Sequence, residues 1–497
     1  MSIRDKRFVI LGGGSAGWIA ANALVAEWGE KGVDITLVES ATIGTVGVGE
    51  GSTPRLKIFF DAIGVEESEW MPRCNATYKN GISFAAWSEK PDFERYFHPF
   101  PTQVDQHTSS AFYYNSYLRR QGADVAAHPD PFFLSAYLAE NKLGPKAAHH
   151  FPFLVEYGYH FDANLLGAFL KEKAQGRGVK HCLTNIVEVK QNEQGDIDSL
   201  VSESGDVIEG DIFIDCSGFA AKLIQQTLNV PFIEYGENLF NDAAVVLPTP
   251  QGKQISSQTV STALSNGWAW EIPLTNRVGN GYVYSGKYCS ADQAETELRA
   301  HLGLLESDIE ARHLKMKVGR VEKHWYKNCL AVGLSQGFIE PLEATALNLV
   351  CNTVYDFMQT YEQDGFTDKG QDAFNQRVNG GYETIRDYIV AHYILNSRTD
   401  TEYWRDNGQN THISPSLETL LECWMKGQDL SQEIERQKIH TSYSALSWYC
   451  LFGGYGIYPD PSRLRPSNEK EDRFKLEKIN EFIARCGLNF SAHGEQL

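Results

Sequence analysis

Apolar residues in the first forty positions fall into short blocks rather than one helical stripe. Phe8-Val9-Ile10-Leu11 is a continuous apolar run bounded by glycine, which predicts a buried strand. Trp18–Trp28 carries helix formers, and Asp34–Val38 predicts a second strand ending at Glu39. GDIFIDCSG, Gly210–Gly218, predicts another buried strand running into a turn. NCLAVGLSQGFIEPLEATALNLV, Asn328–Val350, predicts a strand, a Gly-rich turn and a helix starting near Pro341. Between about 225 and 330 the runs DAAVVLP, GWAWEIPL and GYVYSG predict a sheet platform. From about 355 the pattern becomes helical and aromatic, as in DYIVAHYI and SALSWYCLF. This order predicts an α/β fold: a Rossmann-type module over 1–360 with the platform inserted, and a helical subdomain over 361–497. No internal repeat or low-complexity tract interrupts it.

The first strand and helix are joined by GGGSAG, with Gly12, Gly14 and Gly17 in GxGxxG spacing around Ser15 and Ala16. Alone that spacing is weak. Strand, glycines, helix, strand and a terminal acid within ~30 residues make a dinucleotide fingerprint. The glycines allow a tight turn and close approach to a pyrophosphate, and the helix N-terminus offers free N–H groups. Glu39 can accept hydrogen bonds from a ribose diol. A second loop, TVGVGEGSTP, alternates Gly47, Gly49 and Gly51 before a helix expected at Thr53-Pro54; it is either a second close approach or a surface loop. Asp215 and Gly218, then Gly333 and Leu334, lie in the two later strand-turn segments. Three separated contacts point to FAD in a monooxygenase-like fold rather than NAD, and no second GxGxxG unit for NAD(P)H follows.

Composition narrows the partners. A net charge of −19 and a pI near 5.2 disfavour nucleic acid and anionic membranes. No apolar run is long enough for a membrane span, and the apolar run near the N-terminus is too short for a signal peptide. The nine cysteines form no CxxC pair, so reduced thiols in a cytoplasmic protein are expected, with no metal centre.

GWAWEIPL, Gly267–Leu274, sets Trp268 and Trp270 two residues apart, on one face of a strand. Taken alone, such a pair is ordinarily core packing. Trp268-x-Trp270-x-Ile272-Pro273, together with the N-terminal glycines, resembles the flavin-dependent halogenases of the tryptophan halogenase family. The resemblance runs along nearly the whole chain, through YKNGISFAAW with Lys79, YFHPF with His98 and Phe100, YGYHFDANLL, GYVYSG, DYIVAHY and EPLEATALNLV with Glu343. It implies that reduced FAD, supplied by a separate flavin reductase, works with O2 and chloride or bromide to make hypohalous acid. It implies that Lys79 delivers this species to a small aromatic substrate and that Glu343 is the base. Trp268 and Trp270 would then wall the flavin off from organic substrate and exclude water. Thr345 and Ala346 stand at the family's halide position; Ala346 replaces a frequent glycine, adding a Cβ there. The ordinary roles of these residues are a solvated lysine and an acid in a helix's first turn. An aromatic monooxygenase, with its own NAD(P)H and no need of Lys79, and a non-catalytic protein on the same fold are the alternatives. A homodimer is kept as an expectation.

The substrate expectation comes from TSYSALSWYCLFGGYGIYP, Thr441–Pro459, where the family holds tryptophan's charged groups. This stretch has no Asp, Glu, Lys or Arg, but carries Tyr443, Trp448, Tyr449, Phe452, Tyr455 and Tyr458. A buried zwitterion would be left unpaired, whereas a neutral arene can stack on the rings. Indole or a similar neutral arene is therefore expected, unless charged groups arrive from elsewhere, such as Glu94 or Arg95.

Overall fold

The computed structural model describes residues 3–42, 44 and 49–497; Thr45–Val48 of the second glycine loop, with Gly47, lie outside the described residues. Contacts group the chain into two units that interleave along it. One contains Met1–Ala76, Phe161–Gly236 and Lys317–Tyr382; the other contains Thr77–His160, Glu237–Met316 and Glu383–Leu497.

The first unit is built on a parallel sheet in the order Lys180–Leu183, Asp34–Glu39, Arg7–Leu11, Ile212–Asp215, Cys329–Ala331, with Trp325–Tyr326 antiparallel at the edge. Parallel neighbours need crossovers, and helix Ser15–Trp28 makes the first. Phe8, Ile10, Leu37, Phe213 and Leu330 are fully buried, as continuous apolar strands require. Asn22 would be costly inside this helix, but its amide donates to Trp18 O and Leu170 O, both at 2.8 Å. The second bond ties the helix to Ala163–Gly176.

The helix expected near Pro341 begins later. Pro341–Glu343 is a 3-10 turn, Ala344 takes a left-handed φ of 55°, and the helix runs Ala346–Gln363. The left-handed residue redirects the chain, so the helix restarts beyond it. Glu343 accordingly precedes the helix instead of lying in its first turn. The helix expected at Thr53-Pro54 is present as Arg55–Ala62.

The second unit contains a seven-stranded sheet in the order Arg312–Lys315, Ala243–Pro250, Arg277–Tyr284, Gly267–Pro273, Thr259–Leu264, Gly81–Ala85, Arg95–Pro99. Five of these strands come from the predicted platform interval. The other two carry the GISFA and YFHP blocks, which the platform interval did not include. Trp270 pairs with Gly281 on the neighbouring strand, and a Cβ at Gly281 would lie 2.1 Å from the indole. Gly281 thus makes the room for that ring to lie across the sheet. The helices that follow are capped: Ser414 Oγ accepts from Leu417 N at 3.0 Å with Pro415 at the first helical position, and Asp429 accepts from Ser431 N at 3.0 Å. Among the described residues no helix is long and apolar enough to cross a membrane.

Candidate active site

The glycine turn follows the first strand's last buried residue, Leu11. Gly12 has φ of 121°, a conformation that favours glycine, and a Cβ there would collide with Cys216 O at 2.1 Å. Gly17 lets the helix close onto the turn, since its Cβ would lie 2.0 Å from Gly12 O. Gly14 is the N-cap and brings no side-chain cap, so the first-turn N–H groups stay available to an anion. Residues 12–16 are half-buried and follow the buried run Phe8–Leu11, as a ligand cradle should.

Glu39 completes this cradle. Lys171 Nζ and His181 Nε2 hold its Oε1 at 2.7 and 2.8 Å, while Oε2 lies against Gly13, where a Cβ would come within 1.5 Å. Lys171 and His181 fix the carboxylate's direction; neither stands in a recognisable motif. This arrangement fits a dinucleotide, with N–H donors for the pyrophosphate and an oriented acceptor for a diol. Gly49 opens the short strand Gly49–Gly51. Gly333, with φ of 74°, touches Ala16, for a Cβ there would lie 2.7 Å from Ala16 Cβ; half-buried Leu334 follows in the same 3-10 turn. Gly218 has φ of 71° and open space around it.

Asp215 behaves differently from the glycines. Its carboxylate accepts from Ser217 N and Oγ at 3.0 and 2.6 Å and from Leu223 N and Ile224 N, both at 2.8 Å. Burial raises its pKa although these bonds oppose the rise. Its side chain builds the turn that carries Gly218.

In the same unit Glu343 is buried, Thr345 is the buried N-cap of Ala346–Gln363 and Ala346 is exposed. Thr345 supplies no side-chain cap, so the N–H groups of that first turn are also available.

In the second unit Lys79 ends the strand Thr77–Lys79 and is 0% exposed. Its Nζ lies 5.5 Å from the Phe100 ring centre, a cation–π contact. The strand around it is pinned residue by residue. Thr77 Oγ1 donates to Pro273 O at 2.7 Å and lies 3.1 Å from His160 Nδ1. Tyr78 N donates to His493 Nε2 at 3.0 Å, and Asn80 Nδ2 donates to Leu143 O and Ser257 Oγ at 3.0 and 2.9 Å. Burial holds His160 well below its ordinary pKa, helped by repulsion from Lys79 and, when it is protonated, from His493. Burial brings His493 down to about 4 against the opposing backbone bonds of Ile255 and Ser256. Thr77, His160 and His493 had no signal in the sequence beyond lying near Lys79 or in a family block.

Trp268 and Trp270 are buried side by side, with ring centres 6.1 Å apart and planes at 56°. Trp270 Nε1 is buried without a hydrogen-bond partner among the described residues. Ile272 is buried beyond the pair, and Pro273 contributes its carbonyl to Thr77. His98 is buried with its ring 5.9 Å from that of Tyr388. Trp448 is fully buried edge-on to Tyr388 at 4.8 Å, and Tyr388 stacks on Tyr443 at 3.6 Å. Phe452 stacks on Trp424, while Tyr449 meets Tyr113 and Tyr455 meets Tyr96 edge to face, so much of the aromatic Thr441–Pro459 surface is engaged in its own packing. Among the described residues no group of acids, histidines and cysteines is arranged to hold a metal ion.

A protein-family model described as tryptophan halogenase matches residues 7–468. A tryptophan 6-halogenase from Streptomyces toxytricini is 34% identical over 486 residues, spanning 92% of this chain and 91% of its own. Its crystal structure superposes with a TM-score of 0.87 at 31% identity, over 99% of both chains. A flavin-dependent halogenase from Brevundimonas sp. BAL3 superposes with a TM-score of 0.84 at 30% identity, over 99% of this chain and 98% of the other.

Proposed function

The chain belongs to the tryptophan halogenase family and is a flavin-dependent halogenase with an FAD-binding Rossmann-like fold, and from that premise we propose its particular reaction. It takes FADH2 from a separate reductase in the cytoplasm, uses O2 and chloride or bromide to make hypohalous acid, and transfers the halogen to a neutral indole-like arene. Bound reduced flavin supplies, with O2, the two-electron oxidising power for this conversion. Gly12–Ala16 and Glu39 hold the dinucleotide, with Gly49, Gly218, Gly333 and Leu334 alongside it. The uncapped first turn at Thr345 and Ala346 suits the halide.

Trp268 and Trp270 exclude water and arene from the oxidising step. Lys79 donates a hydrogen bond to hypohalous acid and polarises it, or carries the halogen as a haloamine. The arene's carbon attacks the halogen, and the C–X bond forms as the O–X bond of the acid, or the N–X bond of the haloamine, breaks. That electron pair stays on oxygen, which takes up a proton and leaves as water, or returns to the lysine nitrogen, and Glu343 accepts the proton lost from the arenium. His98, Phe100, Ile272, Pro273 and Trp448 line the arene's path.

The observation that supports this reading most strongly is the complete burial of Lys79. Lysines are almost never fully buried without a function or a partner network to sustain them. The test is incubation with FAD, a flavin reductase, NADH, bromide and indole, read by mass spectrometry. A brominated indole from the wild type and none from Lys79→Ala is the expected result. Hydroxylated indole in place of brominated indole would convert the reading to a monooxygenase.

A further inference from the structure

We propose that His160 is a positioning residue for Lys79, acting through Thr77, and that it works as a neutral imidazole with its proton on Nδ1. The proposal rests on the reading of Lys79 as the delivery residue.

Thr77 and Lys79 are two apart in one strand, so their side chains share a face. Thr77 sits directly opposite His160 in the antiparallel pairing. An oxygen–oxygen contact of 2.7 Å between Thr77 Oγ1 and Pro273 O needs a proton between them, and a hydroxyl has one. Toward His160, Thr77 can then only accept, so Nδ1 at 3.1 Å carries the proton. Nε2 is left with a lone pair, which accepts from Thr259 Oγ1 at 2.9 Å. The chain therefore runs in one direction: Thr259 to His160 to Thr77 to Pro273.

This relay joins the lysine's strand to the far end of the strand carrying Trp268 and Trp270. His160 is 0% exposed, and the charged or titratable groups that bear on it are Lys79 and His493. An imidazolium would face the Lys79 ammonium and force Thr259 to turn its hydroxyl around. The site therefore keeps His160 neutral.

Two measurements test this. The first uses Thr77→Val, which keeps the β-branched shape and deletes both bonds, with Thr77→Ser as the conservative rescue. Free hypohalous acid is trapped with a reactive diketone and compared with haloarene formed. Thr77→Val should shift that ratio toward free acid by roughly tenfold or more, at unchanged flavin oxidation, because a small misplacement of a reacting group is costly. Thr77→Ser should restore it. If Thr77→Val does not fold, His160→Asn, which still donates toward Thr77, should outperform His160→Phe in the same ratio. An unchanged ratio in Thr77→Val, or equal loss with Ser and Val, overturns the proposal.

The second measurement is the nitrogen NMR spectrum of ¹⁵N-histidine-labelled protein, with His160 assigned by its disappearance in His160→Phe. A protonated Nδ1 and bare Nε2 that persist down to pH 5 are expected. A proton on Nε2, or titration near the ordinary histidine value, overturns the proposal. A wild type that makes no haloarene at all would instead remove the halogenase reading, and the nitrogen spectrum would still decide the state of His160.

Discussion

Lys79 shows how far a residue's surroundings can be from its usual ones. A lone lysine in a sequence is a surface charge, and only the block YKNGISFAAW pointed elsewhere. Its complete burial agrees with a chemical role but does not follow from any local pattern. Lys79→Ala should abolish halogenation while FAD still binds and flavin oxidation continues, measured by absorbance and oxygen uptake. Glu343→Gln should lose about 10²-fold in rate if the carboxylate is a positioned base. Retention of half the wild-type rate would return Glu343 to a structural role. His493 adds a pH dependence that the sequence could not announce, because the residue whose N–H it accepts, Tyr78, is far away along the chain. Its pKa is about 4 in the fold against an ordinary value near 6.5. The unfolded chain therefore binds the extra proton first, and the stability from neutral His493 is fully present above ~6.5 and lost as pH falls toward 4. The loss approaches on the order of 3 kcal/mol by pH 4. Thermal unfolding between pH 7 and 5 should show a steeper loss in wild type than in His493→Gln; parallel curves would contradict it.

At the scale of elements, the strand Gly267–Pro273 carries the clearest lesson. Its identity as a strand was legible from the two tryptophans, and its place inside a seven-stranded sheet was not, because register is set by distant partners. Gly281 looks like one of many glycines in the sequence, yet it makes room for Trp270. Gly281→Ala should push the indole aside, destabilise the protein by about 1–3 kcal/mol and reduce haloarene formed per flavin oxidised, as Trp270→Ala should. Normal coupling in both variants would leave these rings as core packing. The parallel strands of the first unit were easy to read, since continuous apolar runs between glycines have few other fates. The start of helix Ala346–Gln363 was harder. Pro341 is an ordinary helix opener, and nothing local warned that Ala344 takes a left-handed turn first. Asp215 likewise ends its strand as expected, but whether its carboxylate faces a ligand or its own loop depends on Leu223 and Ile224, which close back on it.

For the whole molecule, one dinucleotide fingerprint and no second one lead to dependence on an outside reductase. The pure protein should oxidise NADH no faster than free FAD does, and rapid unaided turnover would sink that dependence. The absence of charge in Thr441–Pro459 carries the substrate prediction, while the packing of its rings shows why aromatic content alone does not define a pocket. Free indole should be preferred to tryptophan and halogenated at C3, its most nucleophilic carbon. The most direct test of the account compares kcat/KM for indole and tryptophan with FAD, reductase and bromide, in wild type and Lys79→Ala. The account predicts a higher value for indole, 3-bromoindole as product and no enzymatic product from Lys79→Ala. Hydroxylated product, or bromination by Lys79→Ala at the wild-type rate without free hypohalous acid, would contradict it.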